Sequence, residues 1–299
     1  MSTELDENAG AGGIAAVVRL LRPHQWLKNV FVAAPLFFTP EKLTAAAAGR
    51  VGAGLVAFCA VSSAVYVFND VLDRDADRAH PLKRRRPLAA GTVSLPTAFT
   101  VMAVLLAAGL SLAVWLAPSF AAVVGLYLLI NAGYSLGLKR QSIVDVMAIA
   151  LGFVLRVYAG GTLVEVRPTV WIIACTMLLA LFLALAKRRD DLIKGVGDEH
   201  RQSLGGYSLR FVDTSIAVVL SALLVSYLLY TAAPENIRRY HTDQLYWTAP
   251  FVIAGILRYL QITLVEERSG SPTLVALTDR FLVITMLGWI AVFAWLIYG

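Results

Sequence analysis

Long apolar runs dominate the chain and predict membrane-spanning helices. Polar loops separate nine such runs, and each run is close to the ~20 residues that a helix needs to cross a bilayer. We place these spans at residues 16–38, 50–69, 95–117, 119–138, 142–163, 169–187, 211–233, 244–264 and 278–298. No stretch alternates polar and apolar positions in the manner of a membrane β-barrel. The pattern therefore predicts an all-α, polytopic membrane protein built as a bundle of nine transmembrane helices.

The same pattern predicts one transmembrane helical domain over residues 14–299, preceded by a short tail. Residues 1–13 are polar and acidic and lack the basic and apolar regions of a signal peptide. We expect this tail to be disordered. Charged residues make up 15% of the chain, whereas soluble domains contain about a quarter. This composition excludes an ordinary soluble protein.

Basic residues predict the orientation in the membrane. The loops after the second, fourth, sixth and eighth spans, with the adjoining span ends, hold most of the lysines and arginines, and basic loops stay on the cytoplasmic side. We therefore place these loops and the N-terminus in the cytoplasm of a plasma (inner) membrane protein, with the C-terminus outside. The net charge of +6 is then a topology signal, and the chain carries no nucleic-acid-binding module that would explain it otherwise.

The most polar stretch, NDVLDRDADRAHPLKRRRP at residues 69–87, predicts a metal-dependent site. In a continuous helix Asp70, Asp73 and Asp77 would share one face, with Asn69 one turn before Asp73. Oxygen ligands in such a cluster suit Mg²⁺, which takes its other ligands from water and substrate phosphates. We predict Asn69, Asp73 and Asp77 as metal ligands and Asp70 as a fourth catalytic residue. The alternative is a solvated loop whose acids and bases neutralise one another.

Cations and phenols near the predicted cytoplasmic helix ends are candidates for phosphate binding. Ionisable residues within a span usually mark a functional cavity, although Arg22 and Lys28 could instead extend to the membrane interface. Arg156 needs a carboxylate or a bound anion as partner, and Asp145 lies about 16 Å away along the same helix. The full candidate set for substrate binding is Arg22, Lys28, Lys83, Arg86, Tyr134, Lys139, Arg156, Lys187, Arg188 and, as a second acid, Asp191.

These motifs resemble a known family. Asn69, Asp70, Asp73 and Asp77 match the NDxxDxxxD motif of the UbiA-type intramembrane prenyltransferase superfamily, and the resemblance covers nearly the whole chain. The stretches RPHQWLKN, YSLGLK and LRVYAGG, with the KR after the sixth span, resemble one branch of it. That branch moves a ribose 5-phosphate from phosphoribosyl pyrophosphate to a polyprenyl (decaprenyl) phosphate and releases pyrophosphate.

The resemblance implies Mg²⁺ as cofactor, cytoplasmic active-site loops, self-association as a trimer and a role in the synthesis of cell-wall arabinan precursors. One departure from the superfamily supports the branch. A second aspartate-rich motif, DxxxD, usually follows the sixth span, but here that place reads KRRDDLIKG. One acidic cluster with many cations suits a reaction that involves three phosphate-bearing groups, namely the pyrophosphate, the ribose 5-phosphate and the lipid phosphate.

Two other functions stay open at this point. An aromatic prenyltransferase, which moves an isoprenoid from a prenyl diphosphate to a 4-hydroxybenzoate-like acceptor, needs the same Mg²⁺ cluster. A transporter of anionic solutes could use Arg156 and Lys28 within the membrane. Transporters place their sites near the bilayer midplane, whereas most of the charge in this chain falls in the loops.

Overall fold

The computed structural model describes residues 13–81, 83–195 and 202–299, and within these ranges it contains helices and no strand. The all-α prediction is therefore confirmed. The predicted tail at residues 1–13 lies outside the described residues, apart from Gly13. Contacts divide the chain into two compact units. The first comprises Met1–Leu36, Leu43–Gly137 and Tyr158–Val166, and the second comprises Phe37–Lys42, Leu138–Val157 and Arg167–Gly299.

The first unit is built around one long helix that carries the acidic motif at its end. Its helices are α1 (Ile14–Leu21), α2 (Ala34–Phe37, at the unit boundary), α3 (Ala45–Leu72), α4 (Arg74–Ala79), α5 (Leu95–Leu116) and α6 (Pro118–Leu136). Side-chain caps fix the starts of two spans, because Thr44 and Ser94 accept hydrogen bonds from the first turns of α3 and α5. Buried side chains of α1, α3 and α5 form an apolar core.

The first predicted span is broken in the structure. Helix α1 ends at Leu21, a 3₁₀ segment follows from Pro23 to Ala33, and α2 completes the stretch. Pro23 lacks a backbone N–H and disfavours a right-handed helical residue before it, and Arg22 has a left-handed conformation with φ = 53°. The expectation of one continuous spanning helix over residues 16–38, which contains Arg22 and Lys28, is therefore wrong.

Polar contacts hold the broken segment against α3. The buried Asn29 amide donates to Ser62 Oγ and Cys59 Sγ, both at 3.2 Å. Gly160 is also needed there, because a Cβ atom on it would lie 1.9 Å from the Val32 carbonyl oxygen. Glycine at this position therefore allows the two backbones to approach closely.

The second unit contains the remaining helices, which are α7 (Val144–Val164, whose last turns belong to the first unit), α8 (Val170–Ile193), α9 (Leu209–Ala232), α10 (Pro234–Tyr240), α11 (Ala249–Leu264), α12 (Pro272–Thr278) and α13 (Arg280–Tyr298). Across the described parts of the chain, eight helical stretches are long and apolar enough to span a membrane. They correspond to the second to ninth predicted spans. The count of nine is not confirmed, because the first predicted span is interrupted.

Candidate active site

The acidic motif lies where α3 ends. Helix α3 stops at Leu72, Asp73 leaves helical geometry with φ = −93° and ψ = 3°, and α4 starts at Arg74. The expected single helix face from Asp70 to Asp77 is therefore interrupted. The two residues still come together, because Arg86 Nη1 lies 3.2 Å from Asp70 Oδ1 and 2.6 Å from Asp77 Oδ2.

A second arginine reaches the same cluster from the broken segment. Arg22 Nη2 donates to Asp70 Oδ1, and its guanidinium lies 5.3 Å from the centroid of the Tyr66 ring. Asp70 is only 2% exposed and Asp77 is also buried. Buried carboxylates require compensating charge, and Arg22 and Arg86 supply it. The sequence predicted Arg22, Arg86, Asp70 and Asp77 as site residues, and the fold brings all four together.

The other members of the motif form a separate pair. Asn69 Nδ2 donates to Asp73 Oδ2 at 3.0 Å, and both side chains are half-buried. Asp75, in contrast, has a side chain that is 79% exposed and contacts Arg74 and Arg78. The structure thus separates one solvated aspartate from the four residues of the predicted cluster.

The donor set suits a hard divalent cation. In the described part of the chain no three carboxylate, imidazole or thiol side chains are gathered closely enough to hold a metal ion. However, Asp70 Oδ2 is buried and has no hydrogen-bond partner among these residues. Asn69, Asp73 and Asp77 offer further oxygen atoms, the ligands that Mg²⁺ prefers. The residues fit such a cation once the arginines release the carboxylates.

Three more of the predicted substrate-binding residues also belong to the first unit. Lys83 begins a short 3₁₀ turn after the acidic motif, and its backbone N–H donates to His80 Nδ1 at 3.3 Å. Lys28 lies in the broken segment and Tyr134 in the last turn of α6, and all three side chains are half-buried. Each has contacts within the fold.

The predicted residues of the second unit are organised by a buried aspartate. Arg188 is 1% exposed, and its Nε lies 2.7 Å from Asp145 Oδ2 while its Nη1 lies 3.1 Å from Asp191 Oδ2. The Tyr207 hydroxyl donates to Asp145 Oδ1 at 2.7 Å. Burial and this bond raise the pKa of Tyr207 well above its ordinary value, so the phenol remains a donor. Sequence reasoning missed Tyr207, because only the fold places it beside Asp145.

The Tyr207 hydroxyl also holds a strained turn. It accepts the Ile143 backbone N–H at 2.7 Å, and Ile143 has φ = 69°, a left-handed conformation that β-branched residues avoid. The neighbouring Val144 N–H closes a three-residue turn onto the Ser142 carbonyl. This turn directly follows the short 3₁₀ segment that carries Lys139.

We expect Ile143→Gly to stabilise the protein. Glycine adopts positive φ without strain, which relieves about 1–2 kcal/mol, and it costs roughly 0.5–1 kcal/mol in chain entropy. The Ile143 side chain is 54% exposed, so little burial is lost. Thermal unfolding in detergent should show a small rise in the melting temperature, whereas Ile143→Ala should give no rise. A lower melting temperature for the glycine variant would contradict the strain.

The remaining cations of the candidate set differ in exposure. Arg156 is buried in α7, donates to the Gly152 carbonyl at 2.8 Å and lies 5.4 Å from the centroid of the Phe153 ring. Lys139 is half-buried and Lys187 is exposed. Each of these side chains also has contacts within the fold.

Comparison with known proteins finds relatives that match the chain over its whole length. The decaprenyl-phosphate phosphoribosyltransferase of Mycolicibacterium smegmatis is 34% identical, over 100% of this chain and 98% of its own length. The enzyme of the same name from Mycobacterium tuberculosis is 35% identical, over 97% of each chain.

Among solved structures, a UbiA homolog from Archaeoglobus fulgidus bound to GPP and Mg²⁺ superposes with a TM-score of 0.70. It is 23% identical and covers 95% of this chain and 100% of its own, so the fold is shared. The model of the UbiA prenyltransferase family matches residues 29–284. The chain is therefore an integral membrane transferase that belongs to the UbiA prenyltransferase family.

Proposed function

We propose that this protein transfers 5-phosphoribose from phosphoribosyl pyrophosphate to a polyprenyl phosphate, such as decaprenyl phosphate, and releases pyrophosphate. The observation that carries the proposal is the full-length similarity to enzymes named decaprenyl-phosphate phosphoribosyltransferase. Asp70 and Asp77 supply carboxylates that can hold a metal ion, and the paired Arg22 and Arg86 supply cations that can bind phosphate. Only one acidic cluster is present among the motifs of the sequence, and many cations accompany it.

The reaction is a displacement at C1 of the ribose. An oxygen of the lipid phosphate forms a bond to C1 as the bond from C1 to the pyrophosphate oxygen breaks, and pyrophosphate departs with the electron pair. The acceptor phosphate is already anionic, so it needs to be positioned and requires no strong general base. The site must neutralise charge on pyrophosphate and favour positive charge that develops at C1.

The residues of the acidic motif divide these tasks. Asn69, Asp73 and Asp77, with Asp70 beside them, would hold Mg²⁺, which when bound supplies positive charge for the leaving pyrophosphate. Arg86 and Arg22 already lie against these acids. On donor binding, their guanidinium groups can pair with phosphate oxygens, which accept paired N–H donors as carboxylates do.

We assign the other phosphate groups to the rest of the candidate set. Lys28, Lys83, Tyr134, Lys139, Arg156 and Lys187 remain proposed ligands for the ribose 5-phosphate or the lipid phosphate. Arg188 remains in the set, and its burial between Asp145 and Asp191 favours a role in holding the strained turn next to Lys139. Asp191 then serves mainly as a partner of Arg188.

The proposal includes the setting of the reaction. The positive-inside rule supports a plasma (inner) membrane protein with its charged loops and N-terminus in the cytoplasm, where the donor would be available. The product would supply precursors for cell-wall arabinan, as in the branch that the sequence resembles. Self-association as a trimer also stays a prediction.

The test uses purified protein in detergent with Mg²⁺, polyprenyl phosphate and phosphoribosyl pyrophosphate. We expect release of pyrophosphate together with a phosphoribosylated lipid, and loss of both products when EDTA removes the metal. Prenylation of 4-hydroxybenzoate from a prenyl diphosphate, with no phosphoribosylated lipid, would instead assign the aromatic prenyltransferase reaction. Binding of phosphoribosyl pyrophosphate without any product would favour the transporter.

A further inference from the structure

A groove between α11 and α13 in the second unit has no role in the proposed reaction. Its volume is about 770 Å³. Three arginines line it, namely Arg258, Arg268 and Arg280, with Gln261 and Thr278 beside them. Leu257 and Phe281 form an apolar wall, and both are largely exposed. The groove thus combines cationic and apolar side chains.

The position of the groove matches a membrane interface. Helix α11 ends at Leu264 and α13 begins at Arg280, so Arg268, Thr278 and Arg280 lie where two spanning stretches leave the bilayer. Leu257 is seven residues before the end of α11, which places it about 10 Å deeper along the helix. Leu257 therefore faces the acyl region, while Arg268 and Arg280 lie near the headgroups.

The charges of the groove leave one cation uncompensated. Arg258 pairs with Asp279 at 2.6 Å and with Glu266 at 2.7 Å. Arg268 contacts the same two carboxylates, and the hydrogen bond that Arg258 donates to Asp279 helps lower the pKa of Asp279 to about 2. These four groups sum to zero charge. Arg280 is exposed and has no side-chain partner among the residues that the structure describes.

We propose that this groove binds an anionic phospholipid of the bilayer. Its phosphate would pair with Arg280 next to Thr278 and Gln261, and an acyl chain would lie against Leu257 and Phe281. A single net positive charge complements the single negative charge of a phosphodiester in a headgroup without an amine. Zwitterionic lipids carry a compensating ammonium group for which the groove offers no spare carboxylate, because Asp279 and Glu266 are both paired.

The test compares two arginines in matched positions. Arg280 is the first residue of α13 and Arg210 is the second residue of α9, and both are exposed. Detergent-purified protein is titrated with phosphatidylglycerol or phosphatidylcholine, bound lipid is counted by native mass spectrometry, and unfolding is followed by tryptophan fluorescence. We expect phosphatidylglycerol to bind and stabilise the wild type and Arg210→Gln equally.

In Arg280→Gln we expect affinity for phosphatidylglycerol to fall about fivefold, the ratio typical of one basic residue near anionic lipid. Arg280→Glu should abolish this preference, and an acid in the first turn favours the helix, so the loss would not reflect unfolding. Turnover should stay unchanged in both variants.

Equal binding of phosphatidylglycerol by the wild type and Arg280→Gln, or equal binding of the two lipids by the wild type, would overturn the proposal. Displacement of phosphatidylglycerol by stoichiometric polyprenyl phosphate would also overturn it, because the groove would then be an acceptor site.

Discussion

Asp77→Asn is expected to abolish turnover while the protein still folds. Asparagine keeps the size of the side chain and removes the negative charge that the proposed metal needs. Removing one preorganised charge-stabilising group typically costs about 10²–10³-fold in rate, and loss of a metal ligand should cost at least as much. Arg86 keeps Asp70 as its partner in the variant, so we expect the folded state to persist.

Asp75→Asn is the matched control for this experiment. Asp75 lies two residues earlier in the same short helix, but its side chain is exposed and contacts only Arg74 and Arg78 among the described residues. Its turnover and melting temperature should equal those of the wild type. Full activity of Asp77→Asn, or an equal loss in Asp75→Asn, would remove the basis for assigning the metal to the buried acids.

Arg86→Met should change metal binding and turnover in opposite directions. In the ligand-free fold Arg86 neutralises both Asp70 and Asp77, so a metal must displace it from these carboxylates. Without the guanidinium Asp70 retains Arg22 and Asp77 loses its arginine partner, and we expect Mn²⁺ to bind more tightly in the absence of donor. Turnover should fall about 10²–10³-fold, because the pyrophosphate loses a charged donor.

Mn²⁺ affinity can be measured by electron paramagnetic resonance with and without phosphoribosyl pyrophosphate. In the wild type we expect the donor to strengthen metal binding, since its phosphates draw the arginines away and add oxygen ligands. Arg85→Gln serves as the control, because Arg85 is the exposed neighbour of Arg86. Weaker Mn²⁺ binding by Arg86→Met than by the wild type would contradict the competition between arginine and metal.

The spans were predictable from the sequence because the hydrocarbon core of a membrane permits few backbone structures. Each backbone polar group must be paired within a spanning segment, so an apolar run of suitable length forms a helix. The second to ninth predicted spans correspond to helices in the structure. The first predicted span does not form one helix, because Pro23 and the polar residues after it favour a broken segment. Asn29 of this segment donates a hydrogen bond to Ser62 of α3.

The candidate site was predictable in its residues but not in its pairing. The spacing of Asp70 and Asp77 indicated a shared face, although the helix breaks at Asp73. That Arg22 would reach Asp70 from 48 residues away depends on the left-handed turn before Pro23. Tyr207 carried no signal, because its role depends on a contact across 62 residues with Asp145.

In the proposed reaction the protein transfers ribose 5-phosphate and leaves the prenyl–oxygen bond of its lipid intact. The most direct measurement supplies polyprenyl phosphate with ¹⁸O in its phosphate group, together with Mg²⁺ and phosphoribosyl pyrophosphate, and analyses the products by mass spectrometry. We predict a lipid that keeps all of the label and gains one ribose 5-phosphate, with unlabelled pyrophosphate released. Label lost from the lipid, or a lipid that never gains ribose 5-phosphate while a prenyl diphosphate is consumed by an aromatic acceptor, would contradict the account.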